Sequence, residues 1–109
     1  MEQLRVTELA AWAAAHPDAL LLDIREPWEL ALARLDVPGL AWRHIPMGEL
    51  VQRLPELPPQ QPIVVYCHHG MRSLQVVAFL SQRGWDSVYN LAGGTDAWSR
   101  EVDPRVPRY

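Results

Sequence analysis

One stretch of the sequence, residues 62–80, constrains the fold of this 109-residue chain more than any other. It begins with an apolar, largely β-branched run, Ile63–Tyr66, that ends at Cys67, the only cysteine of the chain. A short connection containing Gly70 follows, and from Ser73 onward the apolar residues recur at helical spacing. The stretch therefore predicts a strand, a tight loop and a helix, with a thiol at the mouth of the loop.

A junction of this kind stabilises an anion, either a bound ligand or a thiolate of the chain itself. Its loop directs unpaired backbone N–H groups at one spot, and the helix dipole adds partial positive charge there. Both effects stabilise a Cys67 thiolate, and Arg72 at the start of the helix is expected to lower the thiol pKa further. The alternative is that Cys67 is only a small buried hydrophobe. Because position, glycine, arginine and helix start agree, we predict that Cys67 is a nucleophile.

Length and composition restrict the number of domains and the kinds of partner. A chain of 109 residues that is 49% hydrophobic has room for one domain with one core. Ten Lys and Arg residues stand against thirteen Asp and Glu residues, which gives a formal net charge of −3. Without a basic excess to neutralise phosphates, the chain is not expected to bind nucleic acid.

The sequence predicts no membrane partner and a cytoplasmic location. Residues 1–10 lack the basic and apolar regions of a secretory signal, and no later stretch has the length of a membrane-spanning helix. A single cysteine cannot form an internal disulfide, and a reactive free thiol is more easily maintained in a reducing compartment.

Strand-like and helix-like segments alternate along the chain. The strand-like segments are short and apolar and lie at residues 4–6, 19–24, 40–45, 63–66 and 88–91. Such alternation predicts an α/β domain with a parallel sheet covered by helices on both faces. We expect a single domain over residues 1–109, with a core of about 4–101 and an extended tail at 102–109.

One helix-like segment begins at Pro27, because proline in the first turn is typical of a helix start. The segment carries an apolar stripe made of Trp28, Ala31, Leu32 and Leu35. We interpret this stripe as part of the core rather than as a cofactor site.

Two glycines, Gly93 and Gly94, follow the last strand-like segment. Their spacing is not that of a phosphate-binding fingerprint. Since glycine has no Cβ, a close approach of this backbone to the Cys67 loop explains the pair.

Four motifs, in order along the chain, carry a resemblance to a known family. They are LLDIRE at 21–26, HIPM at 44–47, IVVYCHHGMRS at 63–73 and SVYNLAGGTDAW at 87–98. With these motifs the chain resembles the rhodanese sulfurtransferases from about residue 4 to residue 109. The resemblance implies a single rhodanese domain with a five-stranded parallel sheet. Residues 102–109 are also similar to the tail of rhodanese domains that load sulfur onto ubiquitin-like carrier proteins.

The resemblance implies sulfur transfer through a persulfide on Cys67, with Gly70 matching the loop glycine of related single-domain enzymes. The expected donor is a small molecule such as thiosulfate, and the acceptor is cyanide, a thiol or a sulfur-carrier protein. Backbone N–H groups of the loop suit a small sulfur anion. The predicted substrate-binding loop consists of His68, His69, Gly70, Met71, Arg72 and Ser73. No cofactor or metal is expected.

Asp23 and Arg25 are the predicted supporting residues, because both lie near the carboxyl end of a buried strand, where ligands bind in open α/β sheets. For Asp23 we favour a structural role, in which it accepts backbone N–H groups of the active loop. Arg25 either reaches the site or pairs with a carboxylate. Arg72 either attracts the donor and lowers the thiol pKa, or forms a structural pair with Asp23 or a surface carboxylate. His44 is interpreted as structural.

Three other interpretations compete with sulfur transfer. Cysteine-dependent phosphatases and arsenate reductases use a similar loop, but with one residue more than the four between Cys67 and Arg72. The shorter loop should fit a tetrahedral phosphate poorly. A non-catalytic binding module is a second alternative, against which the retained cysteine argues. A zinc site is disfavoured, since the adjacent Cys67, His68 and His69 diverge along the backbone and structural zinc needs four spaced ligands.

Overall fold

The computed structural model describes residues 2–109. Its five strands are β1 (Glu2–Arg5), β2 (Leu20–Asp23), β3 (Ala41–His44), β4 (Ile63–Tyr66) and β5 (Val88–Ala92). They form one sheet in the order β1-β5-β4-β2-β3, and all neighbouring pairs are parallel. The predicted five-stranded parallel sheet is confirmed.

Four α-helices and three short 3₁₀ helices connect the strands in the described part of the chain. The α-helices are α1 (Leu9–Ala15), α2 (Pro27–Leu32), α3 (Met71–Gln82) and α4 (Gly94–Glu101). The 3₁₀ helices are Val6–Glu8, Met47–Glu49 and Leu54–Glu56. None of the helices within residues 2–109 is both long enough and apolar enough to span a bilayer.

Both faces of the sheet are buried, as the continuous apolar runs of the central strands require. Alternation along β2 shows this directly: Leu20 and Leu22 pack into the core on the α3 face, whereas Leu21 packs on the opposite face. The α3 face also contains Val77 and Leu80 of that helix. The opposite face is closed by residues of α1 and α4, namely Leu9, Ala13, Ala97 and Trp98. The predicted helices on both faces are therefore confirmed.

The apolar stripe that was assigned to the core is mostly on the surface. Trp28 is 62% exposed and Leu32 is 46% exposed, and Ala31 is exposed as well. Only Leu35, which follows α2, is buried. The prediction was wrong because α2 buries Glu29, so the helix face that carries Trp28, Ala31 and Leu32 points away from the core.

The register of the central strands brings the motif residues to one edge. Asp23, at the end of β2, is level with Tyr66 of β4 and with His44 of β3. Cys67 directly follows β4, and Arg25 lies two residues beyond the end of β2. The sheet therefore gathers the predicted site at its carboxyl edge, where open α/β sheets bind ligands.

Candidate functional site

The Cys67 sulfur lies at the bottom of the loop and is surrounded by backbone donors. Its Sγ accepts the N–H of Gly70 at 3.1 Å and the N–H of Ser73 at 3.4 Å. The residue is only 1% exposed, so the thiol lies below the mouth of the loop rather than at it. The amides of Gly70 and Ser73 point at the sulfur, as a site for a small anion requires.

The turn that aims these amides depends on Gly70. Gly70 has a φ of +96° and is the residue before the first turn of α3, which begins at Met71. The helix thus starts two residues earlier than the spacing from Ser73 suggested. A left-handed residue at this point costs little only for glycine. Gly70 also packs against the backbone of Gly93, where an added Cβ would come within 3.0 Å of the nitrogen.

The start of α4 packs against the Cys67 loop. The N–H of Thr95 donates to the carbonyl of Cys67, and that of Asp96 donates to the carbonyl of His68, both at 3.0 Å. A Cβ on Gly94 would lie 2.1 Å from the Cys67 carbonyl oxygen. The close backbone approach predicted from the glycine pair is confirmed.

A buried polar chain connects the sulfur to β5. The Ser73 hydroxyl lies 3.3 Å from the Cys67 sulfur and donates to the Oδ1 of Asn90. Asn90 in turn donates through Nδ2 to the carbonyl of Gly70 and to the side chain of Gln3. Because a hydroxyl carries one proton, Ser73 accepts from the thiol in this arrangement and is able to turn its proton toward a thiolate.

Arg72 forms a two-pronged ion pair with Glu29 of α2. Its Nη1 and Nη2 donate to the two carboxylate oxygens of Glu29, each at 2.8 Å. These hydrogen bonds raise the pKa of Arg72 above its ordinary value. Of the two roles predicted for Arg72, the structure shows the structural ion pair. Its partner is the buried Glu29 and not Asp23 or a surface carboxylate. The pairing neutralises much of the charge that was expected to attract a donor.

Glu29 is buried and is held in its charged form. Burial alone raises the pKa of a carboxyl group, but hydrogen bonds from Arg72, the N–H of Glu26 and the hydroxyl of Tyr109 outweigh it and lower the pKa of Glu29 to about 2. Glu29 and Glu26 also form a capping box at the start of α2. The first turn of α2 thus positions the partner of Arg72.

Asp23 and Arg25 form a second, completely buried ion pair. Arg25 donates through Nη2 to Asp23 at 2.7 Å and to the carbonyl of Ala33 at 2.6 Å. Burial opposes its charge, yet the Asp23 carboxylate raises the pKa of Arg25. Within residues 2–109, the backbone N–H that Asp23 accepts is that of Arg25, and not one of the active loop as predicted. His44 binds the carbonyl of Arg25 at 2.6 Å, as expected of a structural histidine.

The outer part of the loop carries His68, His69 and Met71. Met71 is 70% exposed. The His68 ring contacts the ring of His69, with centroids 3.9 Å apart, and stacks on the ring of Tyr109 at 3.7 Å. Burial lowers the pKa of His68 below its ordinary value, and repulsion from His69 adds to the lowering. His68 is therefore mostly neutral at pH 7.

Within residues 2–109, one set of neighbouring side chains offers ligand atoms for a metal ion. His68, His69 and Asp96 offer atoms within 4.8 Å of one another. The Asp96 carboxylate, however, is paired with Arg100 and Arg108. Three ligands, one of them neutralised by two arginines, fall short of the four that structural zinc takes.

The comparison with family models decides the relationship. Residues 6–101 match the model of the rhodanese-like domain. The chain belongs to the rhodanese-like family. The match begins just after β1, ends with α4 and includes β2 to β5 and the whole Cys67 loop.

Individual relatives of this rhodanese-like domain include proteins named as sulfurtransferases. The chain is 40% identical over 89 residues to a sulfurtransferase of Allochromatium vinosum, which covers 82% of the chain and 79% of the relative. It is 32% identical to the thiosulfate sulfurtransferase GlpE of Haemophilus influenzae, over 91% of the chain and 90% of that protein. These similarities support an enzyme of the rhodanese family.

Two further comparisons concern size and fold. The chain is 38% identical to the chloroplastic rhodanese-like/PpiC domain-containing protein 12 of Arabidopsis thaliana, of which it spans 31%. The crystal structure of a rhodanese-related protein from Thermoplasma volcanium superposes with a TM-score of 0.79 at 28% identity and covers all of both chains. The rhodanese-like domain thus also occurs within longer proteins.

Three residues around the loop were not predicted from the sequence: Glu29, Asn90 and Tyr109. The sequence did contain a sign of the role of Glu29, because its spacing from Glu26 fits a capping box. The sequence also contained a sign for Asn90, since asparagine is disfavoured in a buried strand and its presence there indicates a specific hydrogen-bond partner. Tyr109 had none, because the path of a segment without helix or strand does not follow from periodicity.

Proposed function

We propose that this rhodanese-like domain transfers sulfane sulfur from a donor such as thiosulfate to a thiophilic acceptor, through a persulfide on Cys67. The observation that carries the proposal is the pair of N–H groups, from Gly70 and Ser73, directed at the Cys67 sulfur. They stabilise an anionic sulfur without a side-chain acid or base. The sulfurtransferase names of the relatives from A. vinosum and H. influenzae support the same chemistry.

The first half-reaction loads the sulfur. The Cys67 thiolate attacks the outer sulfur of thiosulfate and forms a new S–S bond. The bond between the outer sulfur and the sulfonate sulfur breaks, and sulfite leaves with its electron pair. The terminal sulfur of the persulfide then carries the negative charge, which the amides and the Ser73 hydroxyl, 3.3 Å from Sγ, are suited to stabilise.

The second half-reaction unloads it. A nucleophilic acceptor attacks the terminal sulfur and takes it, and the S–S bond pair returns to Cys67 as the thiolate. With cyanide the product is thiocyanate, and with a thiol, whether small or carried by a protein, it is a new persulfide. No external oxidant or reductant is consumed when the acceptor is cyanide, and no cofactor or nucleic acid takes part. A reducing compartment such as the cytoplasm would keep Cys67 available.

Phosphoryl transfer is the weaker candidate. A phosphatase uses the arginine of its loop to bind phosphate oxygens, whereas both terminal nitrogens of Arg72 donate to Glu29. The loop is also one residue shorter than the phosphatase pattern. A non-catalytic binding module is disfavoured because a module that only binds would not need two amides directed at a cysteine sulfur.

Product analysis separates these possibilities. We expect the wild type to form thiocyanate from thiosulfate and cyanide, and Cys67→Ser to form none above the uncatalysed rate. Neither protein should release phenolate from an aryl phosphate. Hydrolysis of the aryl phosphate without thiocyanate formation would replace sulfur transfer with phosphatase activity, and inactivity in both assays would favour the binding module.

A further inference from the structure

The segment 102–109 folds back along α4 toward the Cys67 loop. The N–H groups of Val102 and Asp103 both donate to the carbonyl of Trp98, and the hydroxyl of Ser99 donates to the carbonyl of Val106. Farther on, Arg108 pairs with Asp96 at the start of α4. These anchors carry the chain from the far end of α4 to its beginning, beside the active loop.

Tyr109 then joins three parts of the site with one side chain. Its hydroxyl accepts from Arg25 at 2.8 Å and donates to Glu29 at 2.9 Å. Its ring stacks on His68 with an interplanar angle of 8°, and it meets the ring of Trp28 edge-on at 6.2 Å. Burial raises the pKa of Tyr109 above its ordinary value, so the hydroxyl stays protonated and is able to donate.

Access to Cys67 is the problem that this arrangement raises. The residue is 1% exposed, whereas sulfur transfer requires that a donor and then an acceptor reach its sulfur. Gly94 lies against the carbonyl of Cys67, and Arg72, at the start of α3, is tied to Glu29 by an ion pair. Tyr109 lies in a segment without helix or strand, so its displacement together with the stacked His68 ring would leave the sheet and the helices in place.

We propose that Tyr109 is a selectivity-determining residue, which by stacking on His68 restricts the mouth of the Cys67 loop to small reagents. Cyanide and thiosulfate need only a small displacement of the stack to reach the sulfur, whereas a bulky thiol reaches it only when Tyr109 swings away. Tyr109 acts through His68 and does not take part in the chemistry. The relevance to sulfur transfer depends on the role proposed for Cys67, but the restriction of access does not.

Alkylation of the single cysteine tests access without any sulfur transfer. The reagents are N-ethylmaleimide and a maleimide that carries a long polyethylene glycol chain, which share one reactive group and differ in bulk. For Tyr109→Ala we expect the rate with the bulky reagent to rise about tenfold, and the rate with N-ethylmaleimide to rise far less, because the stack and two hydrogen bonds are lost. Tyr109→Phe keeps the ring and should retain most of the wild-type ratio of the two rates.

Arg105→Ala is the matched control, because Arg105 lies in the same segment and pairs only with Asp103 among the ion pairs of residues 2–109. It should leave both rates unchanged. Arg108→Ala loosens the segment without touching the His68 stack and should give a smaller change than Tyr109→Ala. An unchanged ratio in Tyr109→Ala, or an equal rise with both reagents, would overturn the proposal.

The transfer step is then compared with two acceptors of different size, cyanide and reduced glutathione. Tyr109→Ala should accelerate transfer to glutathione relative to cyanide, and Tyr109→Phe should restore the wild-type preference. If the alkylation ratio changes while neither protein forms a persulfide, sulfur transfer is wrong and the access restriction stands. If persulfide forms but neither ratio moves, the restriction is wrong and sulfur transfer stands.

Discussion

The two sides of the Cys67 loop are built from different kinds of chemical group. The floor consists of Cys67, Gly70, Ser73 and Gly94, and its donors to the sulfur and its closest packing are mainly backbone. The rim consists of His68, Arg72, Glu29 and Tyr109, and it is joined by side-chain contacts. A larger side chain at Gly70 or Gly94 would therefore meet backbone atoms of the floor, whereas the rim is held together by side chains alone.

The positive potential of the site comes from backbone amides rather than from arginine side chains. Each arginine near the loop is matched by a carboxylate: Arg25 pairs with Asp23, and Arg72 pairs with Glu29. Their formal charges cancel, so they contribute little net attraction for an anion. The unpaired partial charges are those of the amides that face Cys67. We infer that the floor holds the sulfur and that the rim controls what reaches it.

Gly94→Ala should have the largest effect, because it attacks the floor. The new Cβ would lie 2.1 Å from the carbonyl oxygen of Cys67 and 2.7 Å from that of His68. We expect the free energy of unfolding to fall by about 3 kcal/mol or more, together with loss of transfer activity, as urea denaturation and a thiocyanate assay would measure.

Gly48→Ala provides its control, because an added Cβ meets nothing within 4 Å there. That variant should stay within about 0.5 kcal/mol of the wild type. A Gly94→Ala protein as stable as Gly48→Ala would mean that the floor is not rigid.

Glu29→Gln tests the rim. The change removes the negative charge that faces Arg72 and weakens the hydrogen bonds from Arg72 and Tyr109. Because Arg72 is partly exposed, water compensates some of the loss, and we expect a destabilisation of about 2 kcal/mol in urea denaturation. Glu101→Gln, at an exposed pair with Arg100, should cost far less. Equal losses in the two variants would show that the Glu29 pair is no more than a surface ion pair.

The acid dependence of stability should identify the same carboxylate. The pKa of Glu29 is about 2 in the folded protein and 4.5 ordinarily, so the unfolded chain binds the proton first as the pH falls. The stabilisation is therefore complete above pH 4.5 and is lost progressively toward pH 2. Denaturation midpoints of the wild type and Glu29→Gln should converge over this range. Curves that stay parallel would assign the acid sensitivity to other groups.

Ser73→Ala should have the smallest effect on stability and a specific effect on the floor. It removes the hydroxyl beside the sulfur and leaves the Oδ1 of Asn90 without its donor. We expect a loss of about 1 kcal/mol in unfolding free energy and slower persulfide formation by about tenfold in stopped-flow mixing with thiosulfate. Ser81→Ala, on the exposed face of the same helix, should change neither. A wild-type loading rate in Ser73→Ala would leave the two amides as the only stabilising donors.

The difference between the floor and the rim also explains which features were predictable from the sequence. The floor follows from local patterns: a β-branched run before Cys67, a glycine in the turn, and the Gly93-Gly94 pair whose close approach is confirmed. The parallel sheet with helices on both faces likewise follows from strand-like and helix-like segments that alternate, and the family follows from the four motifs. Even so, α3 begins at Met71, because Gly70 acts as its cap and the helical spacing alone does not reveal that.

The rim was not predictable in the same way. Arg72 and Glu29 are 43 residues apart, and several carboxylates competed as partners until the fold brought one of them close. The stripe of Trp28 and Leu32 looked like core because periodicity reports which residues share a helix face, not which way that face points. Tyr109 reaches His68 through a segment whose path depends on tertiary contacts.

Intact-mass measurement after treatment with thiosulfate tests the central claim, that the floor of the loop holds one extra sulfur on Cys67, most directly. The wild type should gain about 32 mass units, the mass of one sulfur, and lose them again on addition of cyanide. Cys67→Ser should gain nothing. A wild type that gains no sulfur, or a Cys67→Ser protein that gains as much, would contradict the account.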